Sequence, residues 1–389
     1  MSLDIQQLQR YAGQDRATTT AAHDVRRYPA LDSHILICGV GNSGESVTLR
    51  ILALGMNDGQ RFSGLGINND RLAPRPVPVR TLTGTIEPLA LTPRLILDGD
   101  NPRDQVGDYP LLQQRYARLL RGISVFETYP RAGAGGHGHP VISALDIDLH
   151  IDAVLAGLRR AVRPLRGEPP RVPGQSDMQR LVAQQQQRQE STQEPVVVVI
   201  GGGGGAMGNV GHHLLPYLLR HTLAEQGIPS YQLWGVLLGP RAFSGLTPFV
   251  RHNYRALLES LEYMHRHGQQ RRYVNDLEIA LQQPPYDRVF VIDDPALPAE
   301  GARVTEAELE GFLDRAALSM YLLLRGTVWP TIASHVANDD GVVRDDGRLR
   351  YLNTVNAAML GMDRAHVAEW LTTRLAQRLL EQFHERFAA

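Results

Sequence analysis

Five consecutive glycines, Gly201 to Gly205, stand directly behind the apolar run Val196-Val197-Val198-Val199-Ile200 and ahead of a stretch of helical character over residues 210–220. The order predicts a strand, a turn of bare backbone and a helix N-terminus. Glycines accept positive φ and let backbone N–H groups touch a ligand, and a helix N-terminus adds a favourable field, so this arrangement is suited to gripping a phosphate. A plain flexible turn is the alternative. Ordering five glycines costs more conformational entropy than such a turn warrants.

With 389 residues and 43% apolar content, the chain can bury one large core or two ordinary ones. The net charge of −1 gives no global attraction to nucleic acid or to an anionic membrane, so any phosphate selectivity must be local. The sequence holds no lysine, and all 40 basic residues are arginine. Walker-type loops, pyridoxal Schiff bases and amine nucleophiles need lysine and are thereby excluded. Cys38 is the sole cysteine, which excludes internal disulfides and cysteine zinc sites and leads us to expect a cytoplasmic protein. No apolar run approaches the roughly 20 residues needed to span a bilayer, and residues 1–32 read as a polar tail unlike a signal peptide.

From residue 33 the pattern reads strand (34–38), glycine loop, helix (45–54), then a strand ending at Asn68-Asn69-Asp70. A proline-broken region follows, then a helix over 111–120, a strand over 123–128, the loop Gly133-Ala134-Gly135-Gly136 and a helix over 142–165. Residues 166–194, rich in proline, glutamine and arginine, read as a solvated insertion. Beyond the pentaglycine unit come a strand (231–238), a helix (251–267), a strand (288–292) and a long helix from Thr305, where Glu308 three residues on completes a capping box. Such alternation predicts an α/β fold: a mostly parallel sheet with helices on both faces and the ligand at the carboxyl ends of the strands. We divide the chain into the tail, a nucleotide-binding α/β domain (33–304), a central helix (305–328) and a small C-terminal region (329–389). That last region contains a strand over 349–355 and an amphipathic helix over 365–387.

The first loop, Gly39-Val40-Gly41-Asn42-Ser43-Gly44, fits G-x-G-x-x-G between strand and helix. Asn68, Asn69 and Asp70 can reach a ribose or base, although Asn-Asn-Asp is also good turn chemistry. The loop at 133–136 can add N–H donors to a terminal phosphate. One reading of residues 39–70 is a Rossmann oxidoreductase using NAD(P), with Asp70 on the ribose hydroxyls, which leaves the pentaglycine idle. Asp70 also stands 26 residues beyond Gly44, farther than the usual acidic position.

Taken together, these segments resemble the nucleotide-binding domain of the tubulin and FtsZ superfamily. The resemblance matches the first loop with Gly39 to Ser46, the Asn-Thr-Asp turn with Asn68-Asn69-Asp70, and the GAGG-type loop with Gly133-Ala134-Gly135-Gly136. The signature loop is matched by Gly203-Gly204-Gly205-Ala206-Met207-Gly208. Residues 236–245, with Pro240 and Phe243, are similar to the sugar-contacting loop, Ile292-Asp293-Asp294 to the Ile-Pro-Asn-Asp segment, and the helix from Thr305 to the central helix. The resemblance implies GTP or GDP as the ligand, Mg²⁺ held through its phosphates, and self-association into a longitudinal oligomer or filament. A further protein partner is possible under this reading, whereas nucleic acid is not expected. It also implies hydrolysis at a junction between subunits, with Asp339 and Asp340 as catalytic acids or, alternatively, Asp345 and Asp346; both pairs also read as solvated turns.

The departures from the pattern have consequences. Ala206, or a glycine, replaces the signature threonine, and Ser46 stands where FtsZ reads the base with asparagine. The central helix lacks the aromatic residue followed four positions later by an acid or amide, since Phe312 is followed by Ala316. Adenine therefore stays open beside guanine, and a scaffold that binds nucleotide without hydrolysing it is the alternative function. His137, His139, His212 and His213 have no nearby cysteine or carboxylate cluster and read as loop polar groups rather than metal ligands.

Overall fold

The computed structural model describes residues 31–98, 106–120, 135–166, 194–245, 249–294, 297, 303–325 and 352–354. All of them belong to the first of the chain's two compact units, Met1–Asn356. In chain order the elements are β1 (Leu31–Val40), α1 (Gly41–Asn57), β2 (Arg61–Asn68), β3 (Val77–Arg80), β4 (Ile86–Leu89), β5 (Arg94–Ile96), α2 (Pro110–Leu120), α3 (Pro140–Leu149) and α4 (Ile151–Val162). There follow β6 (Val196–Gly202), α5 (Ala206–Glu225), β7 (Gln232–Leu238), α6 (Val250–His267), β8 (Gln269–Arg272), β9 (Glu278–Leu281), β10 (Arg288–Ile292), α7 (Glu306–Arg325) and β11 (Leu352–Thr354).

Seven strands form one sheet in the order β11-β10-β7-β6-β1-β2-β5, and every neighbouring pair is parallel. Both faces are covered, and the strands show why. Alternate side chains of a strand point to opposite faces. Leu36, Cys38, Val40, Val197 and Val199 face one core with residues of α4, α5 and α6, while Ile35, Ile37, Val198 and Ile200 face the other with α1 and α7. A run such as Val196–Ile200 is apolar at every position because neither face meets water. Fully burying each such side chain contributes about 1.5–3 kcal/mol. The expected parallel α/β architecture is the one observed.

The chain lays down β1, β2 and β5 in one direction, then returns to place β6 on the other side of β1. This is a doubly wound order, and β1 and β6 flank its switch point, where a crevice opens beyond the carboxyl ends of the strands. The helices after these strands, α1 and α5, begin at that crevice.

Several elements differ from the sequence expectations. The helix expected over 142–165 is two helices, α3 and α4, with a 3₁₀ turn at Arg163–Arg166. The corner between them is held by His150, whose ring nitrogens lie 2.8 Å from the Asp146 carbonyl and 2.9 Å from the Asp98 carbonyl. Both α1 and α5 start earlier than expected, at Gly41 and Ala206. The antiparallel hairpins β3–β4 and β8–β9 were not foreseen, being four-residue strands in polar or proline-containing sequence. Thr305 forms the expected capping box: its N–H donates to Glu308 Oε2 at 2.8 Å, and its hydroxyl accepts from the Glu308 N–H at 3.3 Å. The strand expected over 123–128, the insertion but for its ends, and the C-terminal helix lie outside the described residues. Among the described residues, no helix is long and apolar enough to cross a membrane.

Candidate functional site

A cleft of about 550 Å³ opens at the switch point, within the range usual for small-molecule sites. Its walls bring together four segments far apart in sequence. Gly41, Asn42, Ser43 and Ser46 come from the start of α1, and Asn68, Asn69 and Asp70 from the end of β2. Gly135 to Gly138 come from the loop before α3, and Gly202, Gly204, Gly205, Ala206, Met207 and Gly208 from the pentaglycine junction. Phe243 and Val250 also line the cleft, as do Glu306, Leu309, Glu310 and Leu313 of α7.

The pentaglycine does not use the positive φ that the sequence suggested for it. None of Gly201 to Gly205 is among the glycines with positive φ; Gly41, Gly135 and Gly138 are. What the run needs is the absence of Cβ. A Cβ on Gly203 would stand 2.7 Å from Tyr254 Cδ2, and one on Gly204 2.5 Å from Val250 Cγ1. Gly208 packs as closely, with a Cβ 2.5 Å from the Gly202 carbonyl, whereas Gly205 meets only that carbonyl, at 3.6 Å. Gly201 and Gly202 finish β6, Gly205 is the N-cap of α5, and Ala206 is its first residue. Gly39, Gly44 and Gly203 are packing positions behind the cleft, where α1 lies on β1 and β6 and where the turn lies on α6.

The glycine junctions offer the cleft backbone donors, while Asp70, Glu306 and Glu310 bring carboxylates to it and Arg75 is paired with Glu306. Neither α1 nor α5 has a side-chain N-cap bond or an acidic residue in its first turn. Their N-termini are adjacent, since a Cβ on Gly41 would be 3.3 Å from the Gly208 nitrogen. Each helix N-terminus carries about half a positive charge on N–H groups without intrahelical partners. Two such ends at one crevice can receive phosphate with no ammonium group present.

Side-chain amides fix the walls. Asn253 Nδ2 donates to the Gly138 carbonyl at 2.8 Å and the Gly204 carbonyl at 3.1 Å, tying the third loop to the pentaglycine turn. Asn209 Nδ2 donates to the Gly203 carbonyl at 2.9 Å and the Asn253 carbonyl at 2.7 Å. Neither residue was singled out from sequence. An asparagine in the first turn after a glycine loop was the available signal for Asn209, and nothing local marks Asn253.

Beneath the β2 end lies a connected polar network. Asn68 Nδ2 donates to Asn42 Oδ1 at 2.6 Å and to the buried Glu45 at 2.9 Å. Asn42 Nδ2 donates to Asp70 Oδ2 at 2.8 Å, and the other Asp70 oxygen accepts the Leu72 N–H at 2.9 Å. Asn69 turns away from this network and bonds Asp146 at 2.7 Å and Ser143 at 3.1 Å. Burial raises the carboxyl of Glu45 above its ordinary range, opposed by bonds from Arg94 and Asn68. Asp146 is pushed up to about 6 by the same cause, opposed by the bond from Asn69.

On α7, Phe312 faces the core edge-on to Phe243, not the cleft. The cleft instead meets two leucines and two glutamates at four-residue spacing. Glu310 pairs with Arg50 of α1, which also reaches Asp314 at 2.6 Å. Glu306 pairs with the exposed Arg75 at 2.5 Å.

Gly133, Ala134, Asp339, Asp340, Asp345 and Asp346 lie outside the described residues. His212 and His213 lie within α5, not in a loop as expected; His212 is buried and bonds Tyr286 at 2.9 Å, burial lowering its pKa to about 3, as suits a core histidine. Among the described residues, no group of three or more His, Cys, Asp or Glu side chains is placed to hold a metal ion.

Fold and cleft together define a doubly wound α/β protein with a crevice at its switch point. No family model matches the sequence, and no curated protein does. Among solved structures, the chain is similar to a GTPγS-form protofilament of TubZ from Bacillus thuringiensis serovar israelensis, at 12% identity over 73% of this chain and 54% of that one, with a TM-score of 0.38. It is also similar to a helical model of the TubZ-Bt two-stranded filament, at 13% identity, 90% and 66% coverage and a TM-score of 0.40. GDP-form protofilaments of the same TubZ match at 13% identity, 72% and 52% coverage and a TM-score of 0.33. The chain spans about half to two thirds of the length of these structures.

Proposed function

We propose that this chain is a tubulin-like protein that binds a guanine nucleotide and self-associates in response to it. The observation that carries the proposal is the pair of adjacent helix N-termini, uncapped by side chains, at a crevice walled by three glycine segments. The phosphates lie against the glycine junctions and the two helix N-termini. The base lies against Leu309 and Leu313 of α7. A carboxylate there accepts from the N1–H and N2–H₂ donors of guanine, while the N1 of adenine is itself an acceptor. Glu310 is engaged by Arg50, so Glu306 is the residue that selects guanine after leaving Arg75.

Mg²⁺ held through the phosphates would supply charge neutralisation; Asp70 lies beside the third loop, its Oδ2 3.7 Å from where a Cβ on Gly135 would be. Both Asp70 oxygens already accept protein N–H groups, which disfavours the ribose role an NAD enzyme would give it. Hydrolysis at a subunit junction uses Asp339 and Asp340. Ala206 supports a second reading in which nucleotide is held without turnover, since it offers no hydroxyl at the start of α5.

The test is to denature purified protein, identify any nucleotide released, and sediment the native protein with GTP, GDP, ATP or none. GTP-selective binding with sedimentation that depends on it is expected; binding of NAD alone, or of no nucleotide, overturns the reading. Phosphate release per subunit that rises with protein concentration, and is lost in Asp339→Ala or Asp340→Ala, supports the shared catalytic site. Retained GTP with no release supports the scaffold.

A further inference from the structure

We propose that a second cavity, lined by α5, α6 and the β8–β9 hairpin, is a binding site for a small aromatic carboxylate that also carries an N–H or O–H donor. The cavity measures about 860 Å³, a size usual for small-molecule sites, and Ala144 of α3 also lines it. None of its lining residues lines the switch-point cleft. Three polar side chains converge on it: His213 of α5, and Gln269 and Arg271 of β8. Residues two apart on a strand share a face, so Gln269 and Arg271 point the same way. Both are half-buried, while Gln270 and Arg272 are exposed.

The chemistry of these groups specifies the ligand. His213 Nε2 and Gln269 Oε1 are buried and have no hydrogen-bond partner in the protein. Buried polar atoms are nearly always paired, so two orphans on the side chains lining one cavity point to polar groups of a ligand. The Gln269 oxygen requires a donor. Burial, with the neighbouring Arg271 charge adding to it, lowers the His213 pKa to about 4, so the ring is uncharged at neutral pH and offers one N–H. Arg271 supplies the charge. Its Nε and one terminal nitrogen bond Asp148 and Tyr116, which leaves the other terminal nitrogen for the cavity. Asp148 also accepts from Arg115 at 2.6 Å, so two guanidinium groups share one carboxylate and the cluster keeps an excess positive charge. Glu259 also lines the cavity, its carboxylate paired with Arg255 one turn earlier. Val210, Leu214 and Met264 contribute apolar surface, and Tyr263, its ring 4.5 Å from that of His267, contributes aromatic surface. An anion with a flat apolar body fits this set.

The experiment titrates indole-3-carboxylate and its uncharged counterpart indole-3-carboxamide into the full chain by calorimetry, with and without GTP. The carboxylate is expected to bind with a dissociation constant of about 1 mM or tighter, and about tenfold or more tighter than the carboxamide, without competition from GTP. His213→Leu keeps an apolar side chain and removes the ring nitrogens; it should lose about tenfold or more in carboxylate affinity, the size of one charge-assisted hydrogen bond. Ala256→Trp, at an exposed position of α6 that lines the cavity, should block binding while leaving the core untouched, so it carries the test even where the histidine variant folds poorly. Equal binding of the two probes, undiminished binding in Ala256→Trp, competition by GTP, or binding of neither probe overturns the proposal. Each of these leaves nucleotide binding at the switch point standing.

Discussion

Arg94 meets the buried Glu45 in a two-point ion pair, Nε to Oε1 at 2.7 Å and the second guanidinium nitrogen to Oε2 at 2.8 Å. The same guanidinium donates to the carbonyls of Asp70, Arg71 and Leu72, at 2.9, 3.1 and 2.6 Å. One arginine thus neutralises a buried acid and shapes the turn that lines the cleft.

Arg94→Ala leaves that carboxylate buried and unpaired and should cost about 3–5 kcal/mol, measured by urea unfolding. Arg94→Lys should recover only a minority of the loss, because one ammonium cannot match both carboxylate oxygens and three carbonyls. Full recovery by lysine would show that charge alone matters at this position.

Asp146 should make stability depend on pH. Burial raises its carboxyl from 3.8 to about 6 in the folded chain. The folded state therefore holds this proton where the unfolded chain has released it. The contribution is complete below about pH 4 and is lost as pH rises through 6, a change of about 3 kcal/mol. Asp146→Asn, which can still accept from Asn69, should flatten this part of the profile between pH 4 and 7. Parallel wild-type and variant profiles would remove Asp146 as the cause.

The pentaglycine positions should differ sharply in tolerance. Gly204→Ala drives a methyl into Val250, and Gly203→Ala drives one into Tyr254, so each should destabilise by about 1–3 kcal/mol and weaken ligand binding. Gly205→Ala should be within about 1 kcal/mol of wild type, because its Cβ makes ordinary contact and its φ of −81° suits any residue. Thermal melts of the three variants rank them directly; equal damage at all three would mean that backbone freedom, not space, is what the run supplies.

Asn253→Ala removes both bonds between the third loop and the pentaglycine turn. A loss of about 1–3 kcal/mol in stability is expected, with weaker ligand binding. Hydrogen exchange should quicken at residues 135–139 and 203–206 more than in the sheet. Uniform exchange changes across the chain would argue against a local clamp.

Much of the fold was legible because its signals are local. Unbroken runs such as Val196–Ile200 can be satisfied only by strands buried on both faces, and Thr305 with Glu308 marks the start of α7 from four residues of sequence. The glycine segments could be assigned to strand-to-helix junctions for the same reason. Their mechanism could not: the sequence suggests positive φ for the pentaglycine, whereas the structure assigns that role to Gly41, Gly135 and Gly138 and leaves close packing to the run. The break at His150 was hidden because the apolar pattern continues across it.

The residues that hold the cleft together were beyond reach of sequence reading. Asn253 acts on Gly138 and Gly204, Arg94 on Glu45, and Arg50 on Asp314, across separations that no periodicity records. By itself, the sequence determined a doubly covered parallel sheet and the bare backbone at its junctions, because burial pattern and glycine content are properties of neighbouring residues. The shared edge of these junctions followed from a parallel sheet; only the tertiary structure decided that α7 presents glutamates and leucines to the crevice there. Strand order and helix rotation arise from packing the whole core, and a residue's partners across the fold are set by that packing.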